Sequence, residues 1–384
     1  MKKWNKLVIF PLIAAILLVM IPPKKANASL TVSAQSAILM EQSTGRVLFE
    51  KDAYKPKRIA SITKIMTAII AIESGKMDEM VKVSENAVRT EGSSIYLKPG
   101  EKIKLRDLVY GLMLRSGNDA AVAIAEHVGG SLEGFVYMMN QKAEEIGMKS
   151  TEFANPHGLD DHENHYSTAY DMALLTRYAM NNEDFREISG TKVHRAPNPT
   201  ESWDRKWTNK NRLLTELYEK STGGKTGFTK RAKRTLVSTA TKGELDLIAV
   251  TLNAPDDWND HIQMFERGFK TYQLVEVLSE GTIKEVTDDF YKKKVYLKHG
   301  FAYPATSKEK ENFHVEFKLQ KPSEEWEGNR GVPEIVGKAT VYFDDKRVKD
   351  MPIYFRQVQK EDKKSFFEFF RNIFLAIVGV KTNG

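Results

Sequence analysis

A serine and a lysine three residues apart, Ser61 and Lys64, could form a nucleophile and its base. On a helix such residues share one face, so the amine of Lys64 can approach the Ser61 hydroxyl. A serine attacks a carbonyl when a neighbouring base takes its proton, and a lysine is such a base if burial or a cation lowers its pKa. A helix N-terminus at Ser61 also aims N–H groups at a developing oxyanion. The same spacing recurs at residues 189–192 and 307–310, where a glycine and a turn argue against a helical pair, so the motif alone indicates little.

A second polar motif, Ser116-Gly117-Asn118, falls in a break between two helical patterns. A hydroxyl and a carboxamide in such a break can project into a cleft. Residues 84–86 have the same spacing but no flanking helices, and we interpret them as a chance match or a helix cap.

A third motif, Lys225-Thr226-Gly227, occurs once in the chain, where a strand could begin. Its cation and hydroxyl suit a substrate carboxylate, and Gly227 leaves room for substrate to pair along the strand edge. Taken alone, the motif is more readily a glycine-rich turn with a solvated lysine.

In this order, the three motifs resemble the signatures of penicillin-recognising serine enzymes. The flanking residues 58–60, 112–115 and 155–159 are similar to those of D-alanyl-D-alanine carboxypeptidases, the low-molecular-mass penicillin-binding proteins. The resemblance covers essentially the whole chain and is greatest for the sporulation-associated subgroup of endospore formers. It implies removal of the terminal D-alanine from peptidoglycan stem pentapeptides, with spore cortex synthesis as the setting.

The resemblance also implies a role for each motif residue. Ser61 would attack the carbonyl between two terminal D-alanines and form an acyl-enzyme, with Lys64 as general base. Ser116 would relay a proton to the leaving D-alanine, and Lys225 would tune that relay.

Substrate contacts follow from the same resemblance. Asn118 would hold the substrate backbone, and Lys225 and Thr226 would engage the terminal carboxylate beside Gly227. The N–H groups of Ser61 and Phe228 would form the oxyanion hole, although some relatives carry histidine at the position of Phe228. No cofactor and no metal are implied, and β-lactam antibiotics would be covalent inhibitors.

Other functions share some of these features. A zinc peptidase could be suggested by His157, His162 and His165, which lie beside two aspartates. The sequence of this segment is, however, typical of a loop and not of a helix that presents zinc ligands. A β-lactamase would share the three motifs but would need a further carboxylate for deacylation. A non-catalytic wall-binding protein on the same fold is the third alternative, and it predicts no acylation.

The elements that must position these motifs can be inferred from the pattern of apolar residues. Apolar runs at 36–40 and 47–49 flank a glycine-containing turn and predict a hairpin, and a second hairpin is predicted at 235–239 and 245–252. Three- and four-residue spacing predicts helices at 61–74, 105–114, 119–128, 135–146, 169–180 and 261–278. The sequence therefore predicts an α+β or α/β domain, a mixed sheet covered by helices, over residues 29–281. The resemblance implies that this domain has the β-lactamase-like fold of serine D,D-peptidases.

The last hundred residues differ in character. Short β-like runs between glycine, proline and charged turns predict a small all-β domain over residues 282–360. Residues 361–384 carry several phenylalanines behind lysines, a pattern that predicts an amphipathic helix lying on a membrane surface. The alternative is a helix that docks on the β domain of the same chain.

The N-terminus indicates export. Lysines, an apolar run and Ala26-Asn27-Ala28 predict a signal peptide at residues 1–28, with an uncleaved anchor as the alternative. Its removal takes away five lysines and no acidic residue, so 53 basic and 51 acidic side chains remain and nucleic acid is not indicated as a partner. Cysteine is absent, which excludes disulfides and thiol catalysis. We therefore expect an exported protein on the outer face of the cell membrane, held there by its C-terminal helix.

Overall fold

The computed structural model describes residues 30–199, 201–329 and 331–357. The predicted signal peptide (1–28) and the predicted membrane-surface helix (361–384) lie outside the described residues. Within the described part, no helix is long and apolar enough to cross a membrane. The chain divides into two units: the first holds the residues up to Lys242 and Asp246–Lys270, and the second holds Gly243–Leu245 and the residues from Thr271 onward.

The first unit contains a five-stranded sheet and several helices. Its strands are β1 (Ser36–Glu41), β2 (Val47–Lys51), β3 (Met80–Lys82), β4 (Lys102–Lys104), β5 (Val193–Ala196), β6 (Arg205–Thr208), β7 (Ser221–Thr229), β8 (Lys233–Lys242) and β9 (Leu245–Leu252). Its helices are α1 (Lys64–Glu73), α2 (Glu85–Val88), α3 (Leu105–Tyr110), α4 (Asn118–Gly129), α5 (Leu132–Ile146), α6 (Ala169–Ala179), α7 (Glu183–Gly190) and α8 (Asp257–Thr271).

The large sheet has the strand order β2-β1-β9-β8-β7, which leaves β7 at an edge. β1 pairs antiparallel with both β2 and β9, and β7 pairs antiparallel with β8. The helix-covered sheet predicted from the sequence is confirmed, and these pairings are antiparallel where the sequence predicts a mixed sheet. Two small two-stranded antiparallel sheets, β3 with β4 and β5 with β6, complete the strands of this unit.

Helix α1 lies in the middle of the core. Every residue from Lys64 to Ile72 is buried, so the helix is covered on all sides, as its nearly continuous apolar sequence requires. Strand β1 is buried along its whole length, and its Ile38 belongs to the same apolar cluster as Ile65 and Ile69 of α1. A rigid central helix therefore carries the motif lysine at its first residue.

The second unit is built from strands. They are β10 (Gln273–Leu278), β11 (Gly281–Thr282), β12 (Val295–Leu297), β13 (Phe301–Ala305), β14 (Phe313–Leu319), β15 (Ile335–Phe343) and β16 (Lys346–Phe355). β10 pairs with β13, and the other strands form a sheet in the order β11-β12-β16-β15-β14. Buried side chains such as Tyr291, Val336 and Ile353 form its core.

One predicted helix is wrong at its C-terminal end, beyond residue 271. The sequence pattern predicts a helix at 261–278, but α8 ends at Thr271 and residues 273–278 form strand β10. Val275 and Val277 alternate with glutamate in this segment, and β-branched residues at a period of two favour a strand. Pairing with β13 provides the partner that stabilises it.

Candidate active site

Ser61 lies in a tight 3₁₀ turn, residues 60–63, that leads directly into α1. The residue before it, Ala60, has a φ of +51°, a left-handed conformation that is costly for a residue with a Cβ. Gly158 packs against this turn so closely that a Cβ on it would lie 2.0 Å from the carbonyl oxygen of Ala60. The loop around Gly158 therefore holds the backbone of the serine turn in place.

Lys64 is fully buried, and its amine contacts three oxygen atoms. Its Nζ lies 3.1 Å from Ser61 Oγ, 2.7 Å from Asn118 Oδ1 and 2.6 Å from the backbone oxygen of His157. Burial, followed by the positive charges of Lys225 and Lys210, holds the pKa of Lys64 well below its usual value. The environment therefore favours the neutral amine.

The second motif adopts an unusual backbone. A π-helical turn, Gly111–Arg115, ends at Ser116, whose φ of +66° is left-handed, and α4 begins at Asn118. The Asn118 side chain accepts from Lys64 and donates through Nδ2 to the backbone oxygen of Glu91, at 2.5 Å. The carboxamide is thus fixed in orientation by partners on both of its ends.

The third motif lies in the middle of the edge strand β7, not at its start. Lys225 is buried, and its Nζ donates to Ser116 Oγ at 3.1 Å and to the backbone oxygen of Thr226 at 2.7 Å. Burial and the charge of Lys210 lower the pKa of Lys225 to about 7.

Gly227 brings β7 against the serine turn. A Cβ at this position would lie 2.4 Å from Thr235 Oγ1 and 2.9 Å from the backbone nitrogen of Ser61. Only glycine therefore lets the strand approach the turn this closely.

A cleft of about 320 Å³ opens between these elements. Its lining includes Ser61, Ser116, Thr226, Gly227 and Phe228. Phe228, 64% exposed, stands at the cleft with its backbone on the strand edge. The structure thus brings residues of all three motifs, far apart in sequence, into one cleft.

Sequence reasoning missed two contributors to this site. The backbone oxygen of His157 binds Lys64, and a backbone contact leaves no signature in side-chain spacing. Lys210 lines the cleft and lowers the pKa values of Lys64 and Lys225, but its segment contains no recognisable motif.

Two of the three histidines considered as zinc ligands have other partners. His157 Nδ1 accepts from the N–H of Leu159, and His165 lies between Thr63 Oγ1 and the N–H of Ala154. Burial lowers the pKa of His157 to about 3 and that of His165 to about 4, so both rings are neutral. In the described residues, no group of three or more histidine and acidic side chains is placed to hold a metal ion.

The motif-like sequences set aside earlier have structural contacts. Ser84 caps α2 by accepting from the N–H of Ala87, as expected for a helix cap. Ser189 Oγ accepts from the N–H of Gly224, immediately before Lys225, and so helps to position β7.

Comparison with known proteins gives several matches. The family described as D-alanyl-D-alanine carboxypeptidase matches residues 23–256. D-alanyl-D-alanine carboxypeptidase DacF of Bacillus subtilis is 39% identical over 259 residues, which are 65% of this chain and 65% of that protein. DacC of Escherichia coli is 36% identical over 268 residues, 64% of this chain and 63% of that protein. The matched region thus spans just under two thirds of the length of these two curated relatives.

A solved structure shares the fold. Penicillin binding protein 5 from Haemophilus influenzae superposes with a TM-score of 0.68 at 26% sequence identity. The superposition covers 85% of this chain and 97% of that chain.

Proposed function

Because the chain belongs to the D-alanyl-D-alanine carboxypeptidase family, we propose that it is a serine peptidase of the bacterial cell wall. It removes the terminal D-alanine from peptidoglycan stem pentapeptides through an acyl-enzyme on Ser61, and β-lactams acylate the same serine. The family match and the names of the relatives support this activity. The identity with the Bacillus subtilis protein supports the narrower proposal of a sporulation-associated enzyme acting in spore cortex synthesis.

The arrangement around Lys64 carries the proposal. A neutral amine has two N–H groups and one lone pair. Two of the oxygen atoms around Lys64, Asn118 Oδ1 and the backbone oxygen of His157, belong to carbonyl groups that only accept hydrogen bonds. They take the two N–H groups, which leaves the lone pair directed at Ser61 Oγ, 3.1 Å away. This is the contact that a general base needs before it takes the serine proton.

Acylation then proceeds in two steps. Lys64 takes the proton from Ser61 Oγ as that oxygen bonds to the carbonyl carbon between the two D-alanines. The carbon–nitrogen bond breaks, and Ser116 gives its proton to the leaving nitrogen. Lys225, 3.1 Å from Ser116 Oγ, replaces that proton.

Deacylation restores each group. Water adds its oxygen to the acyl carbon and gives a proton to Lys225, and Lys64 returns its proton to Ser61 Oγ as the ester breaks. The net change is hydrolysis of one peptide bond.

The other motif residues hold the substrate. Asn118 contacts the peptide backbone, and Thr226 with the charge of Lys225 engages the terminal carboxylate. The N–H groups of Ser61 and Phe228 bind the oxyanion that forms during acylation. Support comes from the lining of the cleft and from the position of β7 at the edge of the sheet, where backbone groups are available to a ligand.

The organisation of the whole chain is part of the proposal. Residues 1–28 direct export, residues 29–281 form the catalytic domain and residues 282–360 form the small β domain. Residues 361–384 form an amphipathic helix that lies on the outer face of the cell membrane. The support is the basic and apolar N-terminus and the phenylalanine-rich C-terminus of the sequence.

Mass spectrometry after exposure to benzylpenicillin tests the nucleophile. We expect one penicilloyl group on the peptide that contains Ser61. The Ser61→Ala variant should take up no drug, and its rate of D-alanine release should fall at least about a thousandfold. Ser307→Ala, from a segment with the same serine–lysine spacing, is the matched control and should behave like the parent.

Three results would contradict the proposal, each in its own way. Turnover by Ser61→Ala would exclude this nucleophile. Rapid destruction of the drug by the parent protein would indicate a β-lactamase. Folded parent protein that neither takes up nor destroys the drug would indicate a non-catalytic binding protein.

A further inference from the structure

A second cleft, larger than the first, lies in the same unit. It has a volume of about 480 Å³, and its lining includes Tyr96, Lys98, Arg115, Trp203 and Lys206. None of these residues has a part in the chemistry proposed for the first cleft. Four cationic side chains and a single carboxylate, that of Glu201, line it, and Lys98 pairs with that carboxylate at 2.9 Å, so a positive charge remains on the cleft.

Tyr96 is held in a costly conformation that exposes its ring. Its φ is +63°, which is rare for an aromatic residue, and its side chain is 83% exposed. Because the ring is exposed, no hydrophobic stabilisation from its burial offsets the cost of this backbone conformation. Non-glycine residues with such backbone persist where surrounding contacts impose them, and they cluster at ligand sites.

The contact that imposes this conformation comes from the buried carboxylate of Asp119. It accepts from the N–H groups of Ile95 and Leu97, on either side of Tyr96, and from the hydroxyl of Ser94. The Ser94 hydroxyl in turn accepts from the N–H of Tyr96 at 2.8 Å. The loop is therefore fixed before any ligand arrives, with the aromatic ring at the cleft.

A second exposed aromatic side chain lines the same cleft. Trp203 is 63% exposed, although tryptophan is a residue that proteins usually bury. Arg205, also in the lining, forms a buried ion pair with Glu101 at 2.8 Å, which fixes its side chain. Two exposed rings in a cleft that Arg115 and Lys206 also line suit a ligand with apolar faces and negative charges.

The two clefts are neighbours along three separate segments. Ser93 lines the first cleft and Ser94 the second, and Ser116 lines the first while Arg115 lines the second. Lys210 lines the first cleft, and Thr208, two residues earlier, lines the second. Consecutive residues are only about 3.8 Å apart, so one extended ligand can occupy both clefts.

We propose that this second cleft is a subsite for the saccharide and the adjoining acidic part of the peptidoglycan stem. The inference rests on the proposed function, which places the end of that stem at Ser61. The rings of Tyr96 and Trp203 cover the apolar faces of the sugar, and Lys206 with Arg115 faces the carboxylates of the stem. The enzyme thus recognises polymer-attached stems in preference to short peptides.

Direct binding tests the subsite without any reaction. The probe is a peptidoglycan disaccharide that bears a stem peptide without its two terminal D-alanines, titrated by calorimetry into the full chain. We expect the double variant Tyr96→Ala with Trp203→Ala to raise Kd about tenfold. Lys206→Glu should also weaken binding, because it places a negative charge beside the acidic stem. Tyr137→Ala removes an aromatic residue that is 64% exposed on α5, and its Kd should equal that of the parent.

Kinetics supply the second readout. The ratio of kcat/KM for a disaccharide pentapeptide to kcat/KM for an N-acylated tripeptide ending in two D-alanines should fall about tenfold in the double variant. An unchanged ratio, absence of probe binding by the parent, or equal weakening by Tyr137→Ala would overturn the subsite. D-alanine release from neither substrate by the parent would overturn the proposed function instead, and the calorimetric titration would still decide on the subsite.

Discussion

At the scale of single residues, the site depends on two lysines whose pKa values are lowered by burial and, to a lesser degree, by neighbouring positive charges. Lys64 and Lys225 are buried, and Lys210 adds a positive charge that lowers the pKa values of both. Lysine becomes a base near neutral pH only under such conditions, because an isolated, hydrated ammonium group keeps its proton. Lys210 therefore acts through its charge, which lowers the pKa values of Lys64 and Lys225, and not by contact with the reacting atoms.

The pH dependence of acylation tests this coupling. Acylation by benzylpenicillin should rise with pH as Lys64 loses its proton, and fall above a pH of about 7 as Lys225 loses its own. Lys210→Gln removes a positive charge, so both pKa values increase and both limbs of the profile should move to higher pH. Lys210→Arg keeps the charge and should leave the profile in place. Superposition of the Lys210→Gln profile on that of the parent would exclude the coupling.

Sequence reasoning reached the residues of this site through three motifs and their resemblance, in this order, to the signatures of a known enzyme family. The grouping of Ser61, Lys64 and Lys225 follows from three motifs whose residue types suit one chemistry. The contact of Lys64 with the backbone oxygen of His157 could not be predicted from the sequence, since any residue type supplies such an oxygen. The charge of Lys210 matters because the fold brings it close to Lys64 and Lys225, and the spacing of residues in the sequence does not reveal that proximity.

At the scale of elements, the contact between β7 and the serine turn decides whether the site can form. Gly227 allows the strand to lie against the backbone of Ser61, and Ser189 holds the same strand through Gly224. The strand thus aligns the third motif with the first independently of any side chain in the cleft.

Gly227→Ala should separate these two elements. The new methyl group would meet the backbone nitrogen of Ser61 at 2.9 Å, so either the strand or the turn must shift. A small displacement of a nucleophile and its oxyanion donor lowers rates by about a hundredfold, and we expect that loss in penicillin acylation. Ser221→Ala on the same strand is the control, measured alongside by stopped-flow acylation and thermal unfolding. Normal acylation by a folded Gly227→Ala protein would show that the close approach is not required.

The elements themselves were predicted well where the apolar pattern was long and regular. Helix α1 and the hairpin of β8 and β9 have continuous apolar faces that few alternatives satisfy. The strand β10 was missed because a helix preceded it without a glycine or proline to separate the two. Its identity depends on pairing with β13, a contact between distant segments that local periodicity does not contain.

At the scale of the whole molecule, the three catalytic motifs and the segment proposed to bind the membrane lie in different parts of the chain. The catalytic motifs all lie in the first unit, while the phenylalanine-rich segment lies at the opposite end of the chain. A membrane attachment outside the catalytic unit can therefore be removed without touching the cleft.

Deletion of residues 361–384 tests this separation. The truncated protein should be recovered in the soluble fraction after cell disruption and should retain D-alanine release within about twofold of the full chain. Replacement of phenylalanines 366, 367, 369 and 370 by serine is the matched control, since it keeps the length of the segment but removes four aromatic side chains. Retention of the truncated protein in the membrane fraction would argue for attachment elsewhere in the chain.

The buried lysines also bear on how such a protein can evolve. Burying an amine that water would otherwise solvate destabilises the fold, so apolar replacements of Lys64 and Lys225 are expected to raise the free energy of unfolding. Selection for stability alone would favour those replacements, although they would abolish the proposed catalytic activity. Retention of both lysines in related chains would therefore indicate that the chemistry proposed for them, and not stability, is under selection.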